Sequence, residues 1–422
     1  MSAPTEEPRT SYPPIARPRV VCPRCHGAFT AAHGIASEGE LSCSCSAAVA
    51  AAGVVVVDPP PRLLAAVRRG PAAGLRALLG RHWWRARANE LAPNPTFRRM
   101  LRHAALGRLA SSPRIGAALN RHAGRSWVRP IWGACQWHLY MRHRFATPSF
   151  VAATAALGLV DGRAGLILDA PCGMGHLTHR LGRVVDPARI VALDLDPVSA
   201  YATRRFLAPQ AGIVLCGNLD DPLPLPDAVV AVAFCVDAFH YVERKEPLAR
   251  ELVRVLRDDG VLALLHVHNR LQDNPTPGHP LAPAEYAALF PGCVVRMVPE
   301  EDLLDAAVSG TPLDVSCSAS ADRLDAAAAI AVFVAKREDA LGEVPSLRAR
   351  TAAEAPDPQL AETYEAVAGP NGTAYRRRLP PTLSGEYPEM ARILPRWVAD
   401  PGPDDRHQLV QIGVLADLPE AY

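Results

Sequence analysis

Residues 166–178 read LILDAPCGMGHLT. Apolar residues around one carboxylate, Asp169, run into a loop holding Gly173 and Gly175, and a stretch with helical spacing follows. That is the pattern of a strand feeding a ligand-binding turn. The spacing departs from a dinucleotide loop, because Thr178 stands where the third position should be Gly or Ala, and Pro171 replaces the commonest first glycine. A carboxylate at the strand end would also repel a pyrophosphate, whereas a positively charged ligand would be welcome there.

Further chemistry follows in order. Asp194 ends a second apolar run 25 residues after Asp169, where a carboxylate can accept both hydroxyls of a ribose. In CGNLDDPLPLPD (216–227), Asn218 or Asp220 is placed to reach an adenine amino group. Candidate general bases come next: Asp237 and His240 in FCVDAFHYV, then His266 and His268 in HVHNRLQDN. An imidazole titrates near working pH and suits proton removal. His266 and His268 alternate along a strand and so point the same way, while His240 could equally cap or pack. The polar, proline-rich stretch 268–283 reads as a loop bordering an acceptor site.

A second constellation lies upstream. Cys22 and Cys25 form a C-x2-C pair, and Cys43 and Cys45 follow 18 residues later as C-x-C. Two thiolate pairs across a hairpin-length loop can close a tetrahedral Zn(II) site without an open position for catalysis. The tight C-x-C strains the second pair and leaves His26 or His33 as an alternative fourth ligand.

The elements that must position these residues alternate. Strand-like runs occupy 166–170, 189–195, 212–217, 228–235, 260–268, 294–298 and 328–336, with helical segments between the first five and a turn at Asp259-Gly260. This predicts βαβ units: an α/β, doubly wound, mainly parallel seven-stranded sheet whose strand-to-helix turns share one edge. Five parts result: a disordered start (1–19), a zinc ribbon (20–60), a basic, Trp-rich helical linker or cover (61–145), the α/β domain (146–337) and a helical cap or dimerisation segment (338–422).

Together, LDAPCGMGHLT, LDLDP, LPLPD and RELVRVLRDDGVL, in this order and spacing, resemble the class I S-adenosylmethionine-dependent methyltransferases, type 11 branch, over roughly 146–337. S-adenosylmethionine carries a sulfonium and an ammonium group and no phosphate, which suits an acid at the turn. The resemblance implies cofactor contacts from Asp169, Ala170, Gly173, Gly175, Asp194, Leu195, Asn218, Leu219 and Cys235, and methyl transfer by in-line displacement. Residues 20–58 resemble the zinc ribbons that precede some methyltransferase domains, with Cys22, Cys25, Cys43 and Cys45 as ligands and the zinc structural.

Composition bounds the partners. At 422 residues, 49% hydrophobic and 21% charged, the chain can bury a sizeable core. Its net charge of +2 does not by itself point to nucleic acid. Between Arg62 and Arg144, however, 17 arginines face a single acid, Glu90, and Trp127, Trp132, Trp137 and Tyr140 lie among Arg129, Arg142 and Arg144. Such a stretch could grip RNA or a planar anion. Against that, the chain has only two lysines, Lys245 and Lys336, so arginine serves nearly every cationic role, and a Trp-rich helix more often covers the next domain. The polar start reads as no secretory signal, the longest apolar run (47–57) is too short to span a bilayer, and the scattered cysteines fit a reducing cytoplasm. The expected function is methylation of a small biosynthetic acceptor by a cytoplasmic enzyme, with a homodimer possible in principle. RNA methylation is the alternative and a non-catalytic cofactor-fold module the third reading.

Overall fold

The computed structural model describes residues 19–31, 39–43, 47–51, 53–80, 144–274 and 278–346, and shorter C-terminal stretches (359–360, 363–369, 372–378, 396–399, 409–410 and 412–417). The expected disordered start up to residue 18, Cys45, His33 and the Trp-rich stretch 81–143 lie outside the described residues.

The chain begins with strands β1 (Thr30–Ala31), β2 (Gly39–Ser42), β3 (Ala47–Ala51) and β4 (Val54–Val57), followed by helices α1 (Pro61–Arg68) and α2 (Pro71–Leu79). Pro61 and Pro71 each start a helix, where a missing N–H costs nothing, and Gly70 at φ 119° makes the break that Gly70-Pro71 predicts. From residue 144 the elements are α3 (Pro148–Ala155), β5 (Leu166–Asp169), α4 (His176–Leu181), β6 (Ile190–Asp194), α5 (Pro197–Ala202), β7 (Ile213–Cys216), β8 (Val230–Val236), α6 (Lys245–Val255) and β9 (Leu256–His268). Then come α7 (Pro283–Ala288), β10 (Val294–Pro299), α8 (Glu300–Ser309), β11 (Leu313–Asp314), α9 (Ala321–Ala326), β12 (Ala329–Ala335) and β13 (Glu343–Val344).

All seven expected strands are present, but the sheet has eleven, in the order β1-β2-β3-β4-β7-β6-β5-β8-β9-β12-β10. From β4 to β9 the pairing is parallel, and it is antiparallel at both ends. The expectation of seven strands fails because β4 pairs with β7 through Val55–Leu215 and Val56–Cys216, carrying the N-terminal strands into the same sheet. The sheet is doubly wound: Ile167 points into one apolar layer, and its neighbours Leu166 and Leu168 point into the other. Val54 and Val56 join the first layer and Val55 the second. β5 is the switch point, with β6 on one side and β8 on the other, so a crevice opens at their carboxyl ends.

Two sequence expectations need correction. The turn at Asp259-Gly260 is a register shift inside β9: Val230 pairs with Leu256 and Val232 with Val261, so the surplus residues bulge out. A Cβ on Gly260 would lie 2.8 Å from the Val230 carbonyl oxygen. Of the C-terminal stretches expected to be helical, residues 409–410 are helical, while β17 (Trp397–Ala399) and β18 (Leu415–Ala416) are strands and residues 386–395 and 418–422 lie outside the described residues. With β14 (Gln359–Leu360), β15 (Tyr364–Gly369) and β16 (Gly372–Arg377) these strands form two small antiparallel sheets.

The C-terminal part docks on α4. Asp417 takes Arg183 through Nε at 2.7 Å and Nη2 at 2.9 Å, and its backbone oxygen lies 2.8 Å from His179 Nε2. Burial pushes the Asp417 carboxyl up, but hydrogen bonding and charge from His179 and Arg183 outweigh it and hold the group at about 2, from 3.8. Its stabilisation is therefore complete above the unfolded value and fades as pH falls through the folded one. Asp417→Ala should cost about 2 kcal/mol by urea denaturation at pH 7, below the usual cost of breaking a buried pair because Arg183 is partly exposed. The deficit should shrink between pH 4 and 2, and a constant deficit across that range would refute the assignment.

Candidate active site

The loop after β5 shows why each residue type is needed. Thr178, one turn into α4, donates its hydroxyl to Asp169 Oδ2 at 2.5 Å. The residue that spoils the dinucleotide pattern is thus the partner of the buried acid. Gly175 sits at φ 89°, and a Cβ on it would lie 2.6 Å from the Thr203 methyl, so glycine is required. Gly173, at φ 52°, has no atom within 4 Å of where its Cβ would be, so this side of the loop faces open space. Cys172 turns away from that space: its thiol lies 3.7 Å from Thr203 Oγ1 in the core.

Asp194 closes the other side of the groove. Its Oδ2 accepts from Gly173 N at 2.7 Å and its Oδ1 from Asp196 N at 2.9 Å, while Asp196 caps α5 through Ser199 N at 3.0 Å. Leu195 beside it is 63% exposed, an apolar shelf next to the two acids. Asn218 Oδ1 accepts from Asp220 N at 3.1 Å, fixing the loop after β7. Leu219 is buried, and the side chains of Ala170 and Cys235 belong to the core.

Both acids are costly to ionise. Burial raises Asp169 to about 7, with the Thr178 hydrogen bond opposing and the Asp194 charge adding to the rise. Burial raises Asp194 to about 6 against the backbone N–H groups of Asp196 and Gly173. A cation placed between them would favour ionisation of both.

The four candidate bases meet in one cluster at the ends of β8 and β9. His240 and His268 stack at 3.7 Å between centroids, His268 Nε2 lies 3.3 Å from His266 Nε2, and His266 Nε2 lies 3.7 Å from Asp237 Oδ1. Sequence reasoning missed three partners. Glu300 Oε1 holds His266 Nδ1 at 2.7 Å, Arg144 Nη1 lies 3.2 Å from Asp237 Oδ2, and Ser149 Oγ donates to that oxygen at 3.3 Å. Arg144, the last arginine of the basic stretch, is therefore an internal residue. Glu300 is a buried acid at the start of α8, where the sequence shows only the acidic run Glu300, Glu301 and Asp302.

This environment splits the imidazoles. Burial lowers His240 to about 3 and His268 to about 4, each pushed further down by neighbouring histidines. At His266 burial also lowers the value, but the charges of Glu300 and Asp237 and the Glu300 hydrogen bond raise it overall to about 9. The expectation of an imidazole titrating near neutral pH is thus replaced by two neutral rings beside one cationic ring.

In the N-terminal part, Cys22, Cys25 and Cys43 bring three sulfurs within 4.8 Å of one another, with Cys25 and Cys43 at 3.8 Å. Arg24 N donates to Cys22 Sγ at 3.4 Å, as a thiolate knuckle requires. His26, the alternative ligand, faces Asp227 instead, with Nδ1 3.7 Å from Oδ1. Among the described residues no helix is long and apolar enough to cross a membrane.

Residues 168–264 match the family model of a methyltransferase domain. The chain is 31% identical over 127 residues to a protein of Mycobacterium ulcerans named probable phthiotriol/phenolphthiotriol dimycocerosates methyltransferase 2, covering 30% of this chain and 44% of that protein. It is 28% identical over 144 residues to a probable S-adenosylmethionine-dependent methyltransferase of Mycobacterium tuberculosis, covering 34% and 50%. The chain spans about half the length of these curated relatives. A solved S-adenosylmethionine-dependent methyltransferase of Thermotoga maritima aligns at 16% identity with a TM-score of 0.32, covering 48% of this chain and 94% of that one.

Thr178→Val keeps the shape and removes the donor to Asp169. It should cost about 1–3 kcal/mol at pH 8, where the carboxyl is ionised, and less at pH 5, where it holds a proton. Carboxyl-carbon NMR should show Asp169 titrating above about 7, and an unchanged titration would show that Thr178 does not set its state.

Proposed function

We propose that this chain is an S-adenosylmethionine-dependent methyltransferase acting on a small biosynthetic acceptor. One observation carries the reading: within a matched methyltransferase domain, two buried acids, Asp169 and Asp194, bracket an open glycine loop at the switch point of a parallel sheet. Asp169 would face the cofactor's cationic end and Asp194 its ribose hydroxyls. Leu195 offers apolar surface to the adenine, and Asn218 a polar edge. When bound, the cofactor supplies an activated methyl carbon.

An acceptor held in line with that carbon would take the methyl group with its own lone pair, the electrons of the C–S bond staying on sulfur. A protonated acceptor must also lose a proton. Asp237, His240, His266 and His268 stand beside β5, where β8 and β9 end; they would hold the acceptor, and the proton would pass to Asp237 or to a neutral ring, His240 or His268, since His266 already carries one. The loop after β9 returns over them, with His279 N donating to the His240 carbonyl at 2.7 Å. The curated relative from Mycobacterium ulcerans is named for phthiotriol rather than for RNA, which agrees with a small acceptor. The RNA reading leans on the basic stretch, whose last arginine, Arg144, is buried against Asp237.

The three clustered thiols fit a structural zinc, for which Cys45 completes the donor set. A four-thiolate set leaves no open position for catalysis, so such an ion would brace the N-terminal strands.

Three outcomes are expected. Asp169→Ala and Asp194→Ala should each abolish S-adenosylmethionine binding by calorimetry, and unchanged binding in both would sink the cofactor site. Affinity in the parent should rise from pH 6 to 8 with proton release, because the ligand favours the ionised acids; a flat profile would contradict the assignment. Metal analysis should find one zinc per chain whose chelation lowers the melting temperature, and Cys25→Ser should lose it; zinc-free protein of unaltered stability would overturn that role. Incubation with methyl-labelled cofactor and metabolite pools, read by mass spectrometry, identifies the acceptor.

A further inference from the structure

We infer that Asp237, His240 and His268 form a second metal site, distinct from the cysteine cluster, that takes a divalent first-row transition ion at the end of β8 and β9. One carboxylate oxygen and one nitrogen from each ring lie within 4.8 Å of one another. Two imidazoles and a carboxylate on one side of an ion are the donor set of open-sided divalent centres, which keep positions for other ligands.

The independent observation is His240. It has no exposed surface, and neither ring nitrogen makes a hydrogen bond of good geometry, the His266 backbone acting on the ring only weakly. Burying an imidazole without a partner is expensive, and buried polar groups in folded proteins are nearly always satisfied. A metal ion gives one of these nitrogens its partner. His268 stacks on His240 at 3.7 Å with 12° between the planes, so the rings lie side by side next to Asp237 and must rotate apart to place one nitrogen each on a common ion.

The surroundings fit a ligand-holding role. Asp237 sits at φ 54° and His266 at φ 52°, a conformation that non-glycine residues keep only where packing enforces it. At His266, β9 carries one residue more than β12, between the pairs Val267–Ile330 and Leu264–Val332. That bulge re-aims the strand so that His266 and His268 converge. Arg144 and Ser149 occupy Asp237 Oδ2, and Oδ1 is the oxygen turned toward the histidines. Glu300 fixes His266 beside the trio, an outer carboxylate–histidine pair of the kind that orients metal ligands.

The ion's role, though not its binding, rests on the methyl-transfer reading. Lying at the acceptor side of the crevice, it would take an acceptor bearing an oxygen donor, such as a hydroxyl or carboxylate, into its open positions and hold that oxygen for transfer. The class of acceptor is thus an oxygen-ligating small molecule.

The test uses untagged, full-length protein with its cysteine cluster loaded with zinc, titrated with Co(II) and followed by absorption spectroscopy. One further equivalent should bind, with weak ligand-field bands and no sulfur-to-cobalt charge-transfer band. His240→Ala/His268→Ala should weaken this binding at least tenfold, and the more conservative His268→Gln should do the same while circular dichroism stays that of the parent. Failure of the parent to bind the extra equivalent, or unchanged affinity in a folded His268→Gln protein, overturns the site; charge-transfer absorption assigns the cobalt to cysteine and also overturns it. S-adenosylmethionine calorimetry on the same samples separates the two readings. Cobalt bound without cofactor binding refutes methyl transfer alone, and cofactor bound without cobalt refutes the metal site alone.

Discussion

The buried Asp169 carboxyl, held by the Thr178 hydroxyl, is the contact from which the rest of the crevice follows. An acid at the inner end of a parallel strand has little water to solvate it, so burial drives it toward the neutral form. Thr178 reaches it only if the chain turns sharply into α4. That turn brings Gly175 against Thr203 and leaves no room for a side chain there. The same turn delivers Gly173 N to Asp194, so the second acid is fixed by the loop that the first one shapes. Burial thus makes both acids costly to ionise, and a cation between them would favour their charged forms.

Local pattern carried much of this architecture. Each of the seven runs expected between 166 and 336 is a strand, because strands buried on both faces need continuous apolar residues and show them. Asp169, Gly173, Gly175 and Asp194 stand out in the sequence because a strand end and a tight turn each restrict residue type, and they do meet around one loop. The partners were not legible. Thr178 reads as a missing glycine until its distance to Asp169 is known. Glu300 is 34 residues from His266 and Ser149 is 88 from Asp237, and no periodicity relates positions brought together by a sheet.

The histidines show where period stops being informative. Alternation placed His266 and His268 on one side of a strand, and their rings do meet. The strand is not regular there, however, since a bulge at His266 produces the meeting. Nor does alternation say anything about charge. His266 gains a hydrogen bond and charge from Glu300 and becomes cationic, while at His268, two residues on, burial and the His266 charge outweigh the more distant Asp237 and Glu300 and the ring stays neutral. Identical side chains on one strand thus differ by a proton because of what other strands and helices bring to them.

The division of the chain at residue 60, natural from composition, does not hold as a physical boundary. β4 contributes to both apolar layers and pairs in parallel with β7, whose Cys216 is in register with Asp194 on β6. Removing the N-terminal strands would expose the edge of β7 and the apolar faces that Val54, Val55 and Val56 cover, a surface that would seek another strand. The cysteine cluster, whose Cys43 directly follows β2, is joined to Asp194 on β6 through the pairings β2–β3, β3–β4, β4–β7 and β7–β6. A metal ion held there, as proposed above, would brace one end of the sheet that supports Asp194 without any cysteine of the cluster entering the site.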